Sequence, residues 1–371
     1  MAKVIDSDGH VVEPRAVWTE YTEPEFRDRM IQIRRGDDGM DQLWINGENR
    51  SRASLPVAAS MIPGGLRDLE RARSLTWDDV PPGGWNPRER LKVMDAEGID
   101  LAVLYPSLWL LYGDLVEPKL AAAACRAYNN WMADFCKESP TRLYAVAPMP
   151  LQDAEEAVRE MRRVVRELGF KAVFVRPNPF AGRRLNDPAY DSFWQTAQEL
   201  NVAVAVHSSF GTKMPTMGSD RYRDPFFFHM VCHPFEQQGA CMDVICGGVL
   251  QKYPKLRVGF LESGVGWLGY WLDRMDEHFE GMHSYVPWLR ERPSYQFREH
   301  CFVTLDPHET MLKATTVDMR MERNILWGSD FPHFDCTYPG IVGEIKQACA
   351  KLPESARRAI ITDNALRFYD L

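Results

Sequence analysis

The chain has no C-x-x-C pair, no apolar run long enough to cross a bilayer and no excess of positive charge, and each absence removes a class of protein. Its eight cysteines (125, 136, 232, 241, 246, 301, 336 and 349) are scattered through apolar or helical contexts, so reduced, structural thiols are expected. The longest apolar stretch, Leu101 to Tyr112, is too short for a membrane span and is interrupted by Pro106 and Ser107. A net charge of −8 gives no footprint for a phosphate backbone, so nucleic acid is not an expected partner. The opening residues, Met-Ala-Lys-Val-Ile-Asp, lack a charged segment followed by an apolar one, which predicts a cytoplasmic protein without a secretory signal.

What is present is a chain of 371 residues that alternates short β-branched runs with longer amphipathic ones, the signal of repeated βα units around a parallel sheet. The first strand is expected at Val4 to Asp8. An irregular stretch of about 15–87 follows, with a hairpin pattern at Met30–Arg34 and Asp41–Ile45, and reads as an insertion rather than a domain. Strands are then expected at 101–105, 143–147, 172–175, 202–206, 256–261, 301–305 and 325–329. Helices are expected at 88–97, 118–137, 153–168, 189–200, 231–252, 266–280, 308–316, 339–350 and 354–368. Eight strands with intervening helices predict a single α/β domain over 1–371, a distorted (β/α)₈ barrel whose working residues stand at the C-terminal strand ends.

Those strand ends carry ligand-type residues. Asp8-Gly-His10 ends the first strand, His207 ends the fifth, and Gly328-Ser-Asp330-Phe-Pro-His333 ends the eighth. Alone, an Asp-x-His is as well explained by a turn or helix cap. Their joint arrival at strand ends points to one divalent cation (Zn, Mn or Fe) held by Asp8, His10, His207 and Asp330. His333 is expected beside it, orienting Asp330 or touching substrate. His229-Met-Val-Cys-His233 has i, i+4 spacing, which on a helix puts both imidazoles on one face. With Glu262 they are candidate ligands of a second cation, giving one or two metals per chain.

These motifs, together with Glu262-Ser-Gly-Val-Gly-Trp267 and the closing Thr362-Asp-Asn-Ala-Leu-Arg-Phe-Tyr369, resemble the amidohydrolase superfamily, in particular the branch containing aminocarboxymuconate semialdehyde and resorcylate-type decarboxylases. The resemblance covers nearly the whole chain outside 15–87. It implies a TIM barrel and a metal-dependent hydrolase or carboxy-lyase acting on a small organic acid or amide.

Three departures stand out. Asp8-x-His10 replaces the His-x-His of many relatives. Arg176 ends the fourth strand, where dinuclear members have a carboxylated Lys, and is a candidate to grip a substrate carboxylate. Glu262 stands where the decarboxylases have a catalytic His. The catalytic candidates are therefore Asp330, Glu262 and His233, with Arg176 and His333 for substrate. A dinuclear Fe or Mn oxygenase on the same barrel and an inactive partner subunit are alternative readings. A homodimer, or a hetero-oligomer with a related barrel, is the expected assembly.

Overall fold

The structure, a computed structural model, describes residues 3–51, 56–111, 115–209 and 214–371; Tyr112 lies outside them. Eight parallel strands form the barrel in sequence order: β1 (Ile5–His10), β2 (Leu101–Tyr105), β3 (Leu143–Pro148), β4 (Ala172–Val175), β5 (Ala203–His207), β6 (Val258–Leu261), β7 (Cys301–Thr304) and β8 (Ile325–Leu326). Closure is made by backbone bonds between β1 and the residues after β8: Ser7 N to Trp327 O (2.9 Å), Asp330 N to Asp8 O (2.9 Å) and His10 N to Phe331 O (2.8 Å). These bonds draw the two motifs at opposite ends of the chain together.

The strands are buried on both faces because one faces the barrel interior and the other faces helices. β5 reads Ala-Val-Ala-Val-His with every residue buried. Each fully buried Val there is worth about 1.5–3 kcal/mol over an exposed one. The main helices are α1 (Pro87–Glu97), α2 (Pro118–Cys136), α3 (Ala154–Arg166), α4 (Asp191–Glu199), α5 (Pro225–Ile245), α6 (Leu268–Met282), α7 (Pro293–His300) and α8 (Ile341–Ala348). The insertion carries a three-stranded antiparallel sheet in which Gln32–Arg35 pairs with Asp41–Ile45, extended by Glu48–Asn49. No helix among the described residues is long and apolar enough to cross a membrane.

The expected boundaries shift in four places that matter. α5 starts at Pro225 rather than 231, because Asp224 caps it by accepting from Phe226 N and Pro225 takes the first position. Pro234 lies inside the helix. The helix expected at 308–316 is replaced by turns and a π-helical turn at Ala314–Asp318, since Glu309 spends its carboxylate on Val265 N, Gly266 N and Asp306 N. The C-terminal helix is likewise interrupted by a π-helical turn at Ala359–Asp363. β8 is short because the residues after Leu326 bond to β1.

Candidate metal centre

β1 has a bulge between Asp6 and Gly9. Asp6 therefore turns to Ser329, accepting from its backbone N (2.8 Å) and its hydroxyl (2.6 Å), while Asp8 and His10 face the barrel mouth. Arg90, fully buried, donates to His10 O (2.6 Å) and holds the same junction from outside the strand. Gly328 permits the closest approach: a Cβ there would stand 2.2 Å from Asp8 Cβ and 3.0 Å from Asp8 O.

Two imidazoles are fixed in the tautomer that ligates metal. His10 Nδ1 lies 2.8 Å from Pro106 O and His207 Nδ1 lies 2.7 Å from Ser208 O. A carbonyl only accepts, so each Nδ1 carries the proton and each Nε2 presents a lone pair. His10 Nε2 stands 3.6 Å from Asp8 Oδ1 and 3.2 Å from Asp330 Oδ1; His207 Nε2 stands 3.5 Å from Asp8 Oδ1 and 3.3 Å from Glu262 Oε2. Asp8 Oδ1, His10 Nε2, His207 Nε2 and Glu262 Oε2 are all buried without a hydrogen-bond partner. Lone pairs facing lone pairs repel, and burying them unsatisfied costs about 1–3 kcal/mol each. A cation among them removes that cost, so the donor set fits a divalent metal.

Burial keeps His10, His233 and His333 neutral. Burial, helped by His333 and His207, pushes His10 well below the usual imidazole range; burial and His229 do the same to His233. Burial takes His333 down to about 4. Conversely, burial and the neighbouring Asp335 push Glu262 and Asp330 well above the carboxylate range. Both acids sit in left-handed backbone, Glu262 at φ 53° and Asp330 at φ 53°, a conformation that costs non-glycine residues roughly 1–3 kcal/mol and that clusters at functional sites.

The second candidate group is also assembled. His229 and His233 lie one turn apart on α5 with ring centroids 4.6 Å apart, and His233 Nδ1 is 3.5 Å from Glu262 Oε2. One ligand atom from each of His229, His233 and Glu262 lies within 4.8 Å of the others. Asp335 is a member of this neighbourhood that sequence reasoning missed. It groups with Glu262 and Asp330 and lies 3.9 Å from His229 Nε2. Its signal was the acid two residues beyond His333.

The two substrate candidates are engaged within the protein. His333 Nδ1 bonds Asp330 Oδ1 (2.8 Å) and its Nε2 bonds Ser107 Oγ (2.8 Å), so it positions Asp330. Ser107, another residue given no role from sequence, lies two residues beyond the end of β2. Arg176 is buried and donates to Asn178 Oδ1, to Ser209 O (3.1 Å) and to Leu110 O, tying the loops after β2 and β5 to β4.

A family model described as Amidohydrolase, the second of that name, matches residues 5–371. The 2-amino-3-carboxymuconate-6-semialdehyde decarboxylase of Dictyostelium discoideum is 23% identical over 296 residues, 79% of either chain. An amidohydrolase structure from Mycobacterium avium subsp. paratuberculosis superposes with a TM-score of 0.83 at 23% identity, covering 99% of both chains. A dihydroxybenzoic acid decarboxylase structure from Polaromonas, with bound manganese and the inhibitor 2-nitroresorcinol, superposes with a TM-score of 0.67 at 18% identity over 100% of this chain and 98% of that one. With its strand-end carboxylates and imidazoles at one barrel mouth and the family match running from β1 to the C-terminus, this chain belongs to the amidohydrolase family, in the branch the resemblance pointed to.

Proposed function

We propose that the chain catalyses the metal-dependent, non-oxidative decarboxylation of a small carboxylic acid. The observation that carries this reading is the set of buried, unpartnered ligand atoms on Asp8, His10, His207 and Glu262 at the mouth of the barrel. The named decarboxylation of the Dictyostelium relative supplies the reaction type, and the manganese in the Polaromonas enzyme supports a divalent cation. Asp8, His10, His207 and Asp330 hold that cation.

When bound, it supplies a Lewis acid that grips the substrate's oxygens and draws electron density from the bond to be broken. The chain's own groups do the rest. His333, held by Ser107, fixes Asp330 Oδ1. Asp330, hydrogen-bonded to His333, is the proton carrier at the cleft. As the carbon–carboxylate bond breaks, CO₂ leaves, the electron pair stays on carbon, and Asp330 delivers a proton to that carbon. Glu262 is a second acid at the cleft, its carboxyl pushed up by burial and by Asp335. A cleft of about 300 Å³ opens beside these residues, a size for a small substrate. A recess of about 50 Å³ adjoins it, where Val57, Met61, Leu110 and Phe334 set apolar walls beside Ser107 and Ser209. That mixture suits an unsaturated or aromatic acid with a ring hydroxyl. The oxygenase reading lacks support from the relatives' reactions, and an inactive subunit is disfavoured by a complete donor set.

The test is CO₂ release from a panel of ortho-hydroxylated aromatic acids and unsaturated dicarboxylic acids, with Mn(II) added. Release that disappears in Asp330→Asn is expected. Hydrolysis of esters or lactones without any CO₂ release would overturn the reading.

A further inference from the structure

The donor set is larger than one cation needs. The groups of candidate ligand atoms at the cleft draw on four carboxylates, Asp8, Glu262, Asp330 and Asp335, and five imidazoles, His10, His207, His229, His233 and His333. No lysine or arginine is among the described residues lining the cleft. Buried carboxylates left uncompensated are costly, so a donor set this rich in acids favours bound metal.

Geometry divides the donors in two. Asp8, His10 and His207 make one cluster, and His229, His233 and Glu262 make another, each with its ligand atoms within 4.8 Å of one another. Ligands that each lie about 2.0–2.3 Å from one ion are separated by at most about 4.6 Å, so clusters whose atoms lie within 4.8 Å of one another come within a few tenths of an ångström of a coordination sphere. Glu262 Oε2 is common ground. It lies 3.3 Å from His207 Nε2 and 3.5 Å from His233 Nδ1, is buried, and has no hydrogen-bond partner.

We infer that this centre holds two divalent cations, the second bound by His229, His233 and Asp335 and sharing the Glu262 carboxylate with the first. The inference rests on the first cation of the proposed function and adds a site to it. Cations sharing one carboxylate lie about 3.5–4 Å apart, which suits a ligand with two neighbouring oxygen donors, such as a carboxylate beside a hydroxyl.

Manganese alone, titrated into the full-length protein after chelator treatment, provides the test, read by equilibrium dialysis and electron paramagnetic resonance. Two ions per chain are expected, with the spectrum of an exchange-coupled pair. His229→Gln and His233→Ala should each leave one ion and an uncoupled spectrum. His229 is the more exposed of the two, so its variant guards against misfolding, and circular dichroism checks both. Glu262→Gln should weaken the second ion at least tenfold and abolish coupling. One ion in wild-type protein, unchanged by His229→Gln and lost with His207→Ala, overturns the second site and leaves the proposed function standing. No ion in wild-type protein overturns both.

Discussion

His207 shows how much a single side chain carries here. It ends β5 without exposure, its Nδ1 is committed to Ser208 O, and its Nε2 faces two carboxylates. His207→Ala should weaken the first metal by more than about 100-fold, roughly 3 kcal/mol, and remove turnover with it. Dialysis that finds full occupancy at micromolar metal would contradict the assignment. The histidines also set the response to acid. Metal competes with protons for imidazole nitrogen, and burial has lowered the affinity of His10 and His233 for protons. Bound metal should therefore persist below the ordinary imidazole pKa, with half-release under about pH 6. A pH titration of bound manganese with its midpoint at 6.5 or above would show that burial is not protecting these ligands.

At the scale of elements, the site depends on how β1 and the end of β8 are pressed together. Gly328→Ala would place a methyl carbon 2.2 Å from Asp8 Cβ and against Asp8 backbone, where nothing flexible can yield. A loss of about 2 kcal/mol or more is expected, with weakened metal binding. Gly343, inside α8 with nothing within 4 Å of its Cβ position, is the control; Gly343→Ala should stabilise by about 0.5–1 kcal/mol. Equal effects on the unfolding midpoint would refute the contact argument. The same contrast explains what the sequence could convey. Strand ends were legible because apolar runs such as Ala203–Val206 stop abruptly at a ligand residue, and the i, i+4 histidines place themselves once a helix is granted. Asp335 and Ser107 were not legible. Their roles arise from the path of a loop and from a bond between Ser107 Oγ and His333 Nε2, 226 residues apart. Arg176 looked like a free cation at a strand end, and only the fold reveals the carbonyls of Leu110 and Ser209 around it. Helix 308–316 failed for a similar reason, because Glu309 has tertiary partners that no local pattern records.

For the whole molecule, metal is part of the folding balance, and pH should reveal how. Glu262 and Asp330 have pKa values raised by burial in the metal-free protein. A carboxyl raised above its unfolded value contributes stability that is fully present below the unfolded pKa, about 4, and is lost as pH rises through the folded value. Chelated protein should therefore lose stability as pH rises above the ordinary carboxylate range and these acids ionise without a counter-charge. The metal-bound protein gains over the same interval, because fewer protons compete for its ligands. The unfolded-state titration of the histidines is common to both forms and cancels in the difference. At 100 times the dissociation constant, one ion stabilises by about 2.7 kcal/mol, so chelation should lower the melting temperature by several degrees, and by more at pH 8 than at pH 6. Differential scanning calorimetry of metal-loaded and chelated protein at both pH values measures the two gaps directly. A gap that narrows as pH rises would mean that the buried acids are not balanced by metal, and that the donor cluster at the barrel mouth is stable by itself.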